Sequence, residues 1–234
     1  MFLGGIQKFS LIDYPGKIVA TIFTVGCNFR CPFCHNPELV LPEQVENQPL
    51  FSEEKFFSFL AKNKKLLDGI CITGGEPTVQ NDLIDFIRRI KKEGYLVKLD
   101  SNGSKPEILK ELLENNLVDY LAMDIKTSPQ KYSLAAGREI KMDKIKESAD
   151  LVRQFPNYEF RTTIVPKIVT EDDILNICQW LSGSKLYVLQ QYHSDKTIDP
   201  TYENLSPYPD DVLIKMKEIA QPFFDKIEIR GIIS

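Results

Sequence analysis

The chain has no stretch of eighteen apolar residues, no block of lysines and arginines, and no basic leader followed by an apolar run. The first absence excludes a membrane-spanning helix. The second, with a net charge of −4 and both signs interspersed, argues against a general nucleic-acid or anionic-membrane binder. The third argues against export, so the expected location is the cytoplasm. Thiols stay reduced there, and clustered cysteines then point to metal or redox chemistry rather than disulfides. Low-complexity tracts and strong internal repeats are also missing.

What is present is an ordinary globular composition, 43% hydrophobic and 26% charged, on a chain long enough to bury a core without a disulfide or zinc staple. Strand-like runs fall at 18–24, 69–73, 95–100, 118–125, 159–165 and 185–192. Several are continuously apolar and β-branched, as strands buried on both faces of a parallel sheet are. Helical patterns fill the intervals at 53–66, 80–93, 105–116, 142–155 and 170–182, with one more at 208–221. Asn81-Asp82 and Thr170 are N-cap candidates, and Gly94 a C-cap. This alternation predicts an α/β fold with a parallel sheet, either doubly wound or a full or partial barrel, with its site at the carboxyl ends of the strands. Residues 1–17 are expected to form an extra ribbon or turn, 18–192 the core and 193–234 a C-terminal segment of a single domain. Loops are expected at 36–52 and 193–208.

Three of the five cysteines lie in one loop after the first strand, CNFRCPFCHNP, as Cys27, Cys31 and Cys34. Four readings of this C-x3-C-x2-C loop compete with a catalytic one. A c-type haem needs export. A thioredoxin-like pair leaves Cys27 idle. Zinc would need His35 beside the last cysteine as fourth ligand. A ferredoxin would need Cys71 or Cys178 as a fourth thiolate. A [4Fe–4S] cluster held by three cysteines, with one iron open, fits the count.

With Phe33 before its last cysteine, this loop resembles the signature of the radical S-adenosylmethionine (SAM) enzymes. In that family the amino and carboxylate groups of SAM fill the open iron site. Further stretches strengthen the resemblance. Gly74-Gly75-Glu76-Pro77 after the second strand is similar to the family's GGEP motif, whose backbone meets the methionyl ammonium; alone it would read as a turn. Ser101-Asn102-Gly103 after the third is similar to a segment that contacts the SAM carboxylate and ribose. Asp124-Ile125-Lys126 after the fourth resembles an element of glycyl-radical activating enzymes, with Lys126 a partner for a carboxylate. Asp100 and Asp124 could jointly hold a monovalent cation, a solvated pair being the alternative. Arg161 in RTTIVP and His193 in LQQYH resemble cosubstrate-site residues of the same relatives. Asp13-Tyr14-Pro15-Gly16 resembles their D-G-P-G turn, whose Asp lies beside the reacting peptide; Tyr14 departs from it.

The resemblance runs from about residue 4 to 193 and is closest to activating proteins of anaerobic ribonucleoside-triphosphate reductase. It implies a partial (β/α)6 barrel of the radical SAM type, a single [4Fe–4S] cluster and SAM as cosubstrate. It also implies a glycyl radical enzyme as macromolecular partner, flavodoxin or ferredoxin as electron donor, and catalytic roles for Cys27, Cys31, Cys34 and Asp13. An activator of a pyruvate formate-lyase-like enzyme is the alternative partner reading. An iron–sulfur carrier or zinc module is the alternative class. Cys71 reads as a buried small hydrophobe.

Overall fold

The computed structural model describes residues 1–46 and 49–232. Asn47 and Gln48 of the expected 36–52 loop, and Ile233 and Ser234 of the C-terminal segment, lie outside the described residues. Strand β1 (Leu3–Ser10) runs antiparallel to β2 (Val19–Thr24). Beyond β2 every pairing is parallel, through β3 (Gly69–Gly74), β4 (Leu96–Ser101), β5 (Tyr120–Asp124), β6 (Tyr158–Ile164), β7 (Ser184–Gln191) and β8 (Phe224–Arg230). The sheet order is β1 to β8 in sequence. A doubly wound sheet reverses its order at a switch point, whereas a barrel wall advances one strand at a time. Sequential order therefore decides for the barrel, and the two edges, β1 and β8, leave it partial.

After β2 come two short helices, α1 (Pro37–Val40) and α2 (Pro42–Val45), then α3 (Glu53–Lys62). The crossovers continue with α4 (Leu83–Lys92), α5 (Pro106–Glu114), the short α6 (Tyr132–Ala136), α7 (Met142–Val152), α8 (Glu171–Leu181) and α9 (Asp210–Ala220). Helix α4 buries Leu83, Phe86, Ile87 and Ile90, the i, i+3, i+4, i+7 stripe of a helix laid on a sheet. Helix α8 repeats this with Ile174, Ile177, Cys178 and Leu181, and Thr170 and Asp173 form a reciprocal capping box at its start. Among the described residues, no helix is long and apolar enough to cross a membrane.

Among the described residues the parallel strands number seven rather than the six expected. The missed strand, β8, reads FDKIEIR and is only half buried. An edge strand with one wet face alternates polar and apolar residues instead of running continuously apolar. Its hold on the sheet is ionic as well as laddered. Arg230 on β8 donates from Nη1 and Nη2 to the two carboxylate oxygens of Glu159 on β6, at 2.9 and 2.8 Å, reaching past β7. Glu159 is fully buried and also accepts from the Tyr120 hydroxyl at 2.9 Å.

Arg230 is half-buried, and without it the buried Glu159 keeps the Tyr120 hydroxyl and the more distant Arg161, 3.8 Å away. Arg230→Ala, which takes two charge-assisted donors from that carboxylate, is therefore expected to cost about 2 kcal/mol, read as a lowered urea midpoint. A loss within about 0.5 kcal/mol, typical of surface substitutions, would show that the pair does not hold β8.

Candidate active site

The carboxyl ends of β2, β3, β4 and β5 carry the four motifs, and a cavity of about 240 Å³ is lined by all of them. Cys27, Cys31 and Cys34 line one side, Cys31 buried and the other two half-buried. The cysteine loop is fixed by its backbone. Cys34 N–H donates to Cys31 O at 3.0 Å, and Arg30 N–H donates to Ala136 O of α6 at 2.8 Å. Gly137 is left-handed there (φ 63°), and a Cβ on it would lie 1.9 Å from the Arg30 carbonyl oxygen. Residues of the 193–208 segment cover the loop from outside: Ile198 N–H bonds Cys34 O at 3.1 Å, and the Phe33 ring meets Tyr202 at 6.5 Å.

Gly74 and Gly75 are required by close approach. A Cβ on Gly75 would stand 2.1 Å from Gly26 O, and one on Gly74 2.5 Å from Thr24 N. The Glu76 N–H donates to Gly26 O at 2.8 Å, so the glycine loop lies backbone to backbone on the cysteine loop. The Glu76 side chain, 1% exposed, turns to the neighbouring loops. It accepts from Thr78 N–H at 3.1 Å, from the Thr78 hydroxyl, from Ser101 Oγ at 2.8 Å and from Asn102 N–H at 2.6 Å. Burial raises its carboxyl above the ordinary range, and these donors offset only part of that rise. Glu76 thus sets Ser101 and Asn102 in position.

Asn28 and Ser104, which the sequence reading did not single out, complete the stitching. Asn102 Nδ2 donates to Asn28 Oδ1 at 3.0 Å, and Asn28 Nδ2 donates to Ser104 Oγ at 2.7 Å. The one available signal was that Asn28 adjoins Cys27.

Asp100 and Asp124 come together through Arg161. Its Nε donates to Asp124 Oδ1 at 2.9 Å and its Nη1 to Asp100 Oδ2 at 3.2 Å. Lys98 pairs with Asp100, and Lys126 with Asp124 at 3.1 Å. Burial alone would raise both carboxyls, but Arg161, helped by Lys98 and Lys126, holds them below the ordinary range. Burial would lower Lys126; Asp124 and the Cys31 thiol outweigh it. The guanidinium spans the position suggested for a monovalent cation.

Two predicted residues stand elsewhere. His193 is exposed, does not line this cavity, and sits beside Gly231 past β8. Asp13 accepts from Thr21 Oγ1 at 2.6 Å and lines a second cavity, of about 460 Å³, between the β1–β2 connection and the end of β8. Cys71 and Cys178 are buried and line neither cavity, so no fourth thiolate comes from them. Cys178 belongs to the core face of α8.

The donor set can be tested against the cofactor it suggests. Among the described residues, no three His, Cys, Asp or Glu side chains converge on one ion position, as a mononuclear zinc site requires. A cubane spreads its thiolates over separate irons, and three cysteines around one cavity fit that need. Burial pushes Cys34 up, Cys27 to about 12 and Cys31 to about 11, so binding would displace their protons.

Residues 21–181 match the family model of the radical SAM superfamily. The chain is 37% identical to a Methanocaldococcus jannaschii protein named "Putative glycyl-radical enzyme activating enzyme MJ1227", over 98% of this chain and 96% of that one. It is 31% identical to the pyruvate formate-lyase-activating enzyme of Listeria monocytogenes, over 54% of each. Its fold matches Streptococcus suis SuiB bound to S-adenosylmethionine, with a TM-score of 0.65, at 13% identity, over 90% of this chain and 52% of that one.

Gly75→Ala must part the two loops and is expected to cost about 2 kcal/mol, in the range of overpacking, measured by urea unfolding; a neutral result would refute the close approach. The carboxyls of Asp100 and Asp124 ionise at lower pH folded than unfolded. Their stabilisation is therefore full above about pH 5 and lost as pH falls below about 4. Arg161→Gln should be less stable at neutral pH yet lose less between about pH 5 and 3; parallel falls in both proteins would count against the pairing.

Proposed function

The chain belongs to the radical SAM superfamily, and on that premise we propose that it is an activating enzyme which installs a glycyl radical on a partner protein. The observation that carries this reading is the meeting of the three-cysteine, Gly-Gly-Glu, Ser-Asn-Gly and Asp-Ile-Lys segments on one cavity at the strand ends.

Cys27, Cys31 and Cys34 would hold a [4Fe–4S] cluster, which when bound would supply the one-electron reduction of S-adenosylmethionine needed for hydrogen abstraction from the α-carbon of a glycine. The remaining residues bind, orient and exclude water. The Gly74–Gly75 backbone offers its carbonyls to the methionyl ammonium. Ser101 and Asn102, fixed by Glu76, serve the carboxylate and ribose. Lys126 supplies a cation for a carboxylate, and Phe33 walls the cavity beside the last cysteine. Arg161 holds Asp100 and Asp124 in register; a monovalent cation there would have to share them with it. Asp13 meets the reacting peptide from the second cavity, with His193 near its rim.

On motif likeness the partner is anaerobic ribonucleoside-triphosphate reductase. A pyruvate formate-lyase-like partner is the second reading, favoured by the Listeria relative. Flavodoxin or ferredoxin donates the electron, and the reaction belongs in the reducing cytoplasm.

The test is anaerobic reconstitution with iron and sulfide, followed by dithionite and SAM. 5′-Deoxyadenosine should form, and Cys31→Ala should abolish it. Asp13→Asn should still cleave SAM but lose the glycyl-radical EPR signal on either partner. No cleavage by cluster-loaded protein would make the chain an electron carrier instead.

A further inference from the structure

Three residues close a hydrogen-bonded ring between the cysteine loop and the loop after β4. Ser104 N–H donates to Asn102 Oδ1 at 2.9 Å, Asn102 Nδ2 donates to Asn28 Oδ1 at 3.0 Å, and Asn28 Nδ2 donates to Ser104 Oγ at 2.7 Å. The ring admits one orientation of both amides. A backbone N–H can only donate, so the Asn102 oxygen faces Ser104 and its nitrogen faces Asn28. The Asn28 oxygen must then accept, which turns its own nitrogen to the Ser104 hydroxyl.

The ring acts on a cysteine. Asn102 is buried, and its Nδ2 carries a second hydrogen beyond the one given to Asn28. That nitrogen stands 4.0 Å from Cys27 Sγ, which also accepts from Phe29 N–H at 3.3 Å. Asn28 follows Cys27 directly in the chain, so the amide is fixed from the same stretch of backbone that carries the sulfur. The backbone of the other loop is pinned separately. Asn102 N–H donates to Glu76 at 2.6 Å, and Ser148 Oγ on α7 donates to the Gly103 carbonyl at 2.6 Å. Only the side-chain torsions of Asn102 are left to settle, and Asn28 with the Ser104 N–H settles them. Asn102 Oδ1 has a second lone pair, which the cosubstrate can take without breaking the ring.

We propose that Asn28 is a positioning residue which, through this ring, holds the Asn102 amide toward the Cys27 sulfur and so raises the reduction potential of the cluster. The proposal rests on the three-cysteine cluster of the preceding reading and not on the identity of the partner protein. An N–H aimed at a cluster thiolate stabilises the added negative charge of the reduced state, and hydrogen bonds to the sulfurs are among the levers that set such potentials. Burial keeps water from screening the amide dipole. A residue with no contact to the reacting atoms thereby acts on them through its neighbour.

The test reconstitutes the wild-type chain and Asn28→Leu with iron and sulfide and follows the cluster by EPR through a redox titration. Leucine keeps the branched shape but neither donates nor accepts. In Asn28→Leu the ratio of reduced to oxidised cluster at a fixed potential should fall about tenfold, roughly 59 mV to the negative for one electron. Ser104→Ala should shift it the same way by less, and Ser104→Thr, which keeps the hydroxyl, should match wild type. Ser104 is half-buried, so Ser104→Ala carries the same test should Asn28→Leu load no cluster. Urea unfolding of the cluster-free chains is measured alongside. Lower stability with an unchanged potential would make the ring a latch between loops and overturns the proposal. A potential that rises in Asn28→Leu also overturns it, because the ring would then hold the amide off the sulfur. A wild-type chain that binds no iron and sulfide overturns the cluster assignment itself, and the proposal with it.

Discussion

One buried carboxylate holds the site's loops in register. Glu76 lies under the cavity with its backbone on the cysteine loop and its side chain on the loop after β4. A carboxylate this buried is costly unless every lone pair finds a donor, and here donors come from Thr78, Ser101 and Asn102. That requirement fixes the distance between three strand ends. It also forces glycine at 74 and 75, because no side chain fits between loops at that spacing. Cysteines, backbone groups and polar side chains then face one another across a single cavity.

The inner wall below that cavity is built from charge rather than apolar packing. Lys98, Asp100, Arg161, Asp124 and Lys126 form one connected run across β4, β5 and β6 and just past the end of β5, and Glu159 and Arg230 continue it to β8. Such a wall stabilises less than a hydrophobic one would, since desolvation offsets much of the attraction. It offers specificity of geometry instead, and a polar surface leading in from the open edge. A closed barrel would fill this space with side chains. The partial barrel leaves it open between β1 and β8.

The legible parts of the sequence were those whose physics is local. Continuous apolar runs with helical intervals gave the parallel strands β2 to β7, and Thr170 announced the start of α8. The three-cysteine spacing was legible because one short loop suffices to bring its thiols to one cavity. Strand β8 was missed, since an edge strand's alternation resembles a surface segment. Asn28 was missed because nothing marks an asparagine that bonds a residue seventy-four positions away. His193 was expected beside the cosubstrate; it is exposed past the end of β7 and stands beside Gly231, a neighbour that no local pattern signals.

By itself the sequence determined the α/β alternation, the set of three closely spaced cysteines and the glycines of a backbone that must come close, because these follow from periodicity, spacing and residue chemistry over a few positions. Tertiary structure decided what depends on contacts between distant strands. It decided that Glu76 serves the loops, that Arg161 spans two aspartates, and that Arg230 secures a seventh parallel strand. It also decided that the barrel stays open beside Asp13. Those pairings are set by which strands the sheet order brings together, and no local pattern encodes that order.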